Sequence, residues 1–211
     1  MLKNRSILSA ALLCVLLAST SGCGEMMYFF WPFGRTVTIP AEFDGLKDRT
    51  TAVVVFASES TLFEYPQVTL NLSATVSSML RENVENAKLV DPMKTTAYQT
   101  KNMHWANLDR TELGKALKAD FVMFISLVEF STVEEGYVDL LRGRINGEAK
   151  VFDCSKPEGE SLVWTCPNIT IQHPKSPTVR NSRNEAAIRH IVLTKFSDEL
   201  TKKFYLHKVD R

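Results

Sequence analysis

The chain lacks most of the patterns by which enzyme sites are recognised. There is no Gly-x-Ser-x-Gly elbow, no phosphate-cradling glycine-rich loop, no His-Glu-x-x-His pair and no dense carboxylate cluster in its 211 residues. Serine-nucleophile hydrolysis, loop-held nucleotide phosphates and zinc-peptidase chemistry therefore have no support in the sequence. Histidine is sparse, with four residues scattered at 104, 173, 190 and 207. No Cys/His cluster or Cys-x-x-Cys spacing accompanies them, so neither a structural metal nor a cofactor is implied. Neither sign of charge dominates, because 25 basic and 24 acidic residues are interspersed along the chain. Without a basic stripe on one face, nucleic acid is excluded as a partner. Long hydrophobic runs are missing too. The run nearest the start, Ile7 to Ala18, falls short of the roughly 20 apolar residues that span a bilayer as a helix.

What is present begins with that run. Lys3 and Arg5 precede it, and small residues lead from it to Ser21-Gly22-Cys23-Gly24. A positive start, an apolar middle and a small-residue end make an export leader over residues 1–22. The pattern resembles the bacterial lipoprotein signal, with Thr20 standing where such signals usually carry Leu. That resemblance implies cleavage before Cys23, a palmitate-type acyl anchor on its thiol, and a domain held at the membrane and facing the periplasm. Gly24, in place of an acidic residue, resembles the outer-membrane sorting case. Loss of the leader removes two basic residues and no acidic one, which turns a formal charge of +1 into −1.

Residues 23–49 read as a lipidated tether and lead-in. Met26 to Phe33 is rich in aromatics, and Phe29, Phe30, Trp31 and Phe33 either lie in the membrane interface or pack back on the domain.

Residues 50–206 carry the patterning of one α/β domain, and 207–211 read as a tail. Thr51 to Phe56 is a continuous β-branched run, the mark of a strand buried on both faces. Leu70 to Val84 has helical spacing, and Ala87 to Asp91 reads as a short strand stopped by Pro92. Residues 93–108 are polar and irregular, with room for one helical stretch. Asp109-Arg-Thr-Glu112 has capping-box spacing ahead of Leu113, Ala116 and Leu117. Phe121 to Phe130 is the longest apolar run of the domain and reads as a central strand. From Leu141 to Val151 the period becomes two, so that strand has one dry and one wet face. Leu162 to Gln172 returns as its hairpin partner, followed by a polar loop over 173–183. A second capping box, Ser182-Arg-Asn-Glu185, opens a helix with Ile188, Val192, Phe196, Leu200 and Phe204 on one face. The expected fold is a mixed sheet of about five strands in the order β-α-β-α-β-β-β-α with helices packed on it.

Cys154 and Cys166 are the cysteines left in the folded part, and an exported protein meets oxidising conditions. Setting Cys154 opposite Cys166 also sets Val151 opposite Ile169 and Ala149 opposite Ile171, matching apolar residues. A disulfide here would close a loop of about a dozen residues and contribute on the order of 2 to 3 kcal/mol. Pro167 places that strand at an edge or bulge. Glu59, Glu64 and Tyr65, in the loop after the first strand, sit where open α/β sheets bind ligands, and His104 beside Trp105 completes the candidate ligand loops. Glu134, Glu135 and Asp139 read as a solvated acidic connection.

With this element order behind a lipidation signal, the chain resembles bacterial envelope lipoproteins. These include the CsgG-like curli secretion lipoproteins, the LpoB-like activators of penicillin-binding proteins and the amino-terminal domain of TolB. It is also similar to uncharacterised envelope lipoproteins that carry the segments found here at 40–46, 53–55 and 141–144 (Pro-Ala-Glu-Phe-Asp-Gly-Leu, Val-Val-Val and Leu-Arg-Gly-Arg). The likeness implies binding to another envelope protein, or assembly, rather than chemistry. The expected function is a membrane-anchored, non-catalytic interaction module. A periplasmic ligand binder or hydrolase using the loops above is the alternative, and homo-oligomerisation through the edge strand near Pro167 is a further expectation.

Overall fold

A computed structural model of the chain describes residues 36–210. The leader, Cys23 and the aromatic run 26–33 lie outside the described residues. The chain divides into two units. The smaller holds β1 (Thr36–Ile39), which pairs with the final strand β7 (His207–Asp210) in a two-stranded sheet. Residues 207–210, read from sequence as a tail, are thus a strand.

The larger unit, Pro40–His207, is built on a mixed five-stranded sheet. Its strands are β2 (Thr50–Phe56), β3 (Lys88–Leu89), β4 (Phe121–Val133), β5 (Leu140–Asp153) and β6 (Leu162–Val179). Their order across the sheet is β3-β2-β4-β5-β6. β2 runs parallel to both neighbours, while β4, β5 and β6 pair antiparallel. Five helices accompany the sheet: α1 (Glu59–Glu64), α2 (Val68–Asn83), α3 (Pro92–Lys101), α4 (Arg110–Leu117) and α5 (Ser182–Thr201). Among the described residues no helix is long and apolar enough to cross a membrane.

The sheet has two unequal apolar faces, set by the period of two in its strands. Val53 and Val55 of β2 join Met123, Ile125, Ile145, Ala149 and Val151 under α2 and α5, whose Leu72, Val76, Leu80, Val192, Phe196 and Leu200 complete the main core. Ala52 and Val54 face the other way, onto Val122, Phe124 and Cys154 beneath α3 and α4, with Leu113 and Tyr98 against them. β2 is therefore buried on both faces, as its continuous β-branched run requires. Phe43 and Leu46 of the 40–46 segment also enter the main core, where the Phe43 ring meets Phe121 at 6.0 Å and Phe204 at 6.4 Å.

β5 turns Leu141, Ile145, Ala149 and Val151 inward, and Gly143 and Gly147 share that face. At Gly143 a Cβ would lie 2.7 Å from side-chain atoms of Ile188 and Val192, and at Gly147 2.9 Å from the Ser126 carbonyl oxygen. The two glycines let α5 and β4 approach the β5 backbone more closely than any side chain would permit.

Three sequence expectations change. Pro92 does not merely stop β3; it opens α3 at the first helical position, with the Asp91 side chain accepting from Met93 N–H at 2.9 Å, where the missing proline N–H costs nothing. β6 does not end at Gln172 but runs through Pro174 and Pro177 to Val179. An edge strand tolerates these prolines because its outer N–H groups have no ladder to complete. The hairpin register also differs: Ala149 faces Cys166, Val151 faces Trp164 and Ile145 faces Ile171, with irregularities between Gly147 and Ala149 and between Val151 and Phe152. Consequently Cys154 packs under α4 while Cys166 packs on the α2/α5 face. Both thiols are free. The expected disulfide is not formed, because the bulges place the two sulfurs on opposite sides of the sheet.

Candidate functional site

The segment after β2 was the strongest ligand-loop candidate in the sequence. It folds as α1, with Ser58 as its N-cap and Glu59 and Glu64 at its two ends, both exposed. Tyr65 turns inward instead. Its ring stands edge-to-face on Phe130 at 4.8 Å, and its hydroxyl meets Thr132 at the irregularity in β4 between Ser131 and Val133. That bulge withdraws the Thr132 N–H from the ladder, and it donates to Tyr65 Oη at 3.0 Å. Thr132 Oγ1 donates to Glu185 Oε1 at 3.2 Å, because a carboxylate only accepts, so Tyr65 donates its own proton to Thr132 Oγ1 at 3.1 Å. Glu185 also holds Arg180, at 3.2 Å from both Nε and Nη2, and the Arg189 guanidinium lies over the Tyr65 ring at 5.7 Å. Tyr65 is thus a fully engaged tie between the end of α1, the β4 bulge and the start of α5.

This also revises the second capping box. Asn181, not Ser182, caps α5, its side chain accepting from Asn184 N–H at 2.8 Å. Glu185 spends its carboxylate on Thr132 and Arg180. Thr132, Arg180 and Arg189 had no sequence signal, since the bulge that brings them together is a property of strand pairing.

His104 is exposed and lies just ahead of a single helical turn, where its carbonyl accepts from Asn107 N–H at 3.0 Å. Its neighbour Trp105 packs with Phe56 and Phe124, each at 6.2 Å between ring centres. The acidic connection is ion-paired rather than simply solvated: Glu134 meets Arg142 at 2.8 Å and Glu135 meets Arg144 at 3.3 Å. Among the described residues no three His, Cys, Asp or Glu side chains converge to hold a metal ion.

Cys154 lies beside a small hollow of about 180 Å³ lined also by Arg49, Asp120 and Asp153. Burial, reinforced by the carboxylates of Asp153, Asp120 and Asp109, pushes its thiol up to about 11. A thiol held protonated at neutral pH is a poor nucleophile. It serves as packing, with its sulfur in the space that a Cβ on Gly114 of α4 would take.

A cavity of about 560 Å³ opens at the β3 edge between α3 and α4. Val90, Tyr98 and Leu117 form its apolar wall, next to Leu89, with Lys94 and Lys118 at its margin. It was not legible in the sequence, because its walls come from three separate elements.

The two sheet edges differ. β6 is interrupted by Pro167, Pro174 and Pro177, which remove donors from an exposed strand and blunt it against pairing. β3 has no such guard before Asp91.

No family model matches the chain, and no curated protein matches it. Similar solved structures include a PelC dodecamer from Paraburkholderia phytofirmans, at 16% identity over 80% of this chain and 96% of that one, TM-score 0.45. Lipoprotein GNA1162 from Neisseria meningitidis is similar at 13% identity, over 71% and 98%, with a TM-score of 0.43. Protein XCC0632 from Xanthomonas campestris is similar at 15% identity, over 77% and 85%, with a TM-score of 0.48.

Proposed function

We propose that the chain is a lipid-anchored, non-catalytic interaction module of the bacterial cell envelope. The anchor reading rests on Lys3, Arg5, the Ile7 to Ala18 run and Ser21-Gly22-Cys23. Acylation at Cys23 confines the domain to a membrane surface and raises its effective concentration toward neighbours there. The observation that carries the interaction reading is the fate of Tyr65. The one inward-facing member of the candidate ligand loop has both its donor and its acceptor committed to Thr132, while Glu59 and Glu64 are exposed at opposite ends of α1 and His104 is exposed on a different segment. Grouping with CsgG-like or LpoB-like lipoproteins belongs to the same proposal. So does assembly with further copies, for which the proline-blunted β6 edge is a poor route.

Crosslinking and affinity capture from native envelopes, with wild type and Cys23→Ala, tests the reading. One or more envelope proteins are expected with the wild type and fewer with the variant. If the wild type enriches no envelope protein, the interaction reading loses its basis.

A further inference from the structure

We propose that the cavity at the β3 edge, which is unpaired among the described residues, binds an extended, acidic peptide segment of another protein, which pairs with the main chain at Leu89 and sets its carboxylates among Lys88, Lys94 and Lys118. The inference rests on the interaction-module reading and names the chemistry of the partner.

The main chain supplies the first element. Lys88 N–H donates to the Arg49 carbonyl at 3.0 Å and Val90 N–H to the Thr51 carbonyl at 3.0 Å. Alternation along a strand therefore turns the N–H and C=O of Leu89, between them, away from β2 and toward the open edge. The Leu89 side chain packs on the main core, so it does not fold back over that edge. One outward donor and acceptor contribute little alone, a net of about 1 kcal/mol each. Such a short edge does not invite indiscriminate strand pairing, and the flanking side chains decide what binds.

Those side chains give size and charge. A cavity of about 560 Å³ is within the range that small ligands and short peptide anchors fill. Its Val90, Tyr98 and Leu117 belong to or pack against the apolar layer under α3 and α4, so a peptide side chain entering it would be desolvated on one face. Lys88 shares that side of the sheet with Val90, since alternate residues of a strand share a face. Lys88, Lys94 and Lys118 are exposed, and none is in an ion pair among the described residues. The carboxylate in the cavity wall, Asp91, accepts from the Met93 N–H as the cap of α3. Three uncompensated cations around one engaged carboxylate favour an anionic partner, and the outward main chain favours one that arrives extended.

The test uses the full chain in detergent and fluorescence anisotropy of a labelled Val-Glu-Val-Glu-Val peptide. Saturable binding is expected, weakened by salt as surface charge requires. Lys94→Glu with Lys118→Glu should weaken it by about tenfold or more. Methylation of alternate peptide amides should weaken it about fivefold. Because both lysines are exposed, the thermal midpoint should hold; if it falls, Lys94→Gln with Lys118→Gln replaces the charge-reversed pair. The proposal is overturned if Val-Lys-Val-Lys-Val binds equally well or if the charge variants bind like wild type. It is also overturned if succinate competes as efficiently as the peptide, which would make the cavity a small-anion site. No membrane is involved, so an unmodified Cys23 would defeat the anchor reading and leave this result standing.

Discussion

Tyr65→Phe removes one oxygen and isolates what the β4 bulge costs. In the wild type, the Thr132 N–H, absent from the ladder, has Tyr65 Oη as its partner, and Thr132 is fully buried. The variant keeps the ring on Phe130 but loses two hydrogen bonds and leaves a buried donor unsatisfied. Two net bonds at about 1 kcal/mol each, with the added penalty of the unsatisfied buried N–H partly offset by Thr132 Oγ1 rotation, put the loss at about 2 to 3 kcal/mol. For a domain of this size that is a drop of about 4 to 12 °C in midpoint. Urea unfolding of the full chain in detergent, followed by tryptophan emission, gives the free-energy difference from the shift in midpoint at constant slope. Thr132→Val, alone and combined with Tyr65→Phe, closes a cycle, and a coupling of about 1 kcal/mol between the two is expected. A Tyr65→Phe variant within about 0.5 kcal/mol of wild type would refute the relay. So would strict additivity with Thr132→Val.

Other outcomes follow from the same geometry. Iodoacetamide should label Cys166 first and leave Cys154 untouched near pH 8, with Cys154 reacting only toward its raised value of about 11; equal labelling would contradict its burial. Unfolding without reductant should release both thiols, and a retained intrachain disulfide would overturn the hairpin register. Gly143→Ala should cost about 1 to 3 kcal/mol in urea unfolding, because the new methyl meets Ile188 and Val192. Burial, with Lys195 near its ring, holds His173 below its ordinary range. The folded chain thus binds fewer protons than the unfolded one, and its contribution to stability is full above about pH 6.5 and lost as pH falls through the lowered folded value. His173→Gln should flatten that part of the stability profile, and an unchanged profile would remove His173 as its source.

The sheet was legible wherever burial alone decides the pattern. Thr51 to Phe56, Phe121 to Phe130 and the alternation from Leu141 to Val151 announce a two-faced strand, a central strand and a one-faced strand. The closing helix was equally plain from Ile188, Val192, Phe196 and Leu200. Features that depend on pairing were not legible. Matching Val151 to Ile169 satisfied the hydrophobic pattern, yet bulges let β6 reach Trp164 and Cys166 instead. Pro174 and Pro177 looked like loop residues because their tolerance at a sheet edge depends on where the strand lies. Tyr65 carried no mark of its inward turn, and the Lys94 and Lys118 cavity exists only once α3 and α4 lie side by side.

The proposed lipid tether at Cys23 would decide where every other property operates, and mass spectrometry of the mature amino terminus reads it out in one step. The expected result is a chain beginning at Cys23 that carries diacylglycerol on its thiol. A chain beginning elsewhere, or an unmodified Cys23, would contradict it.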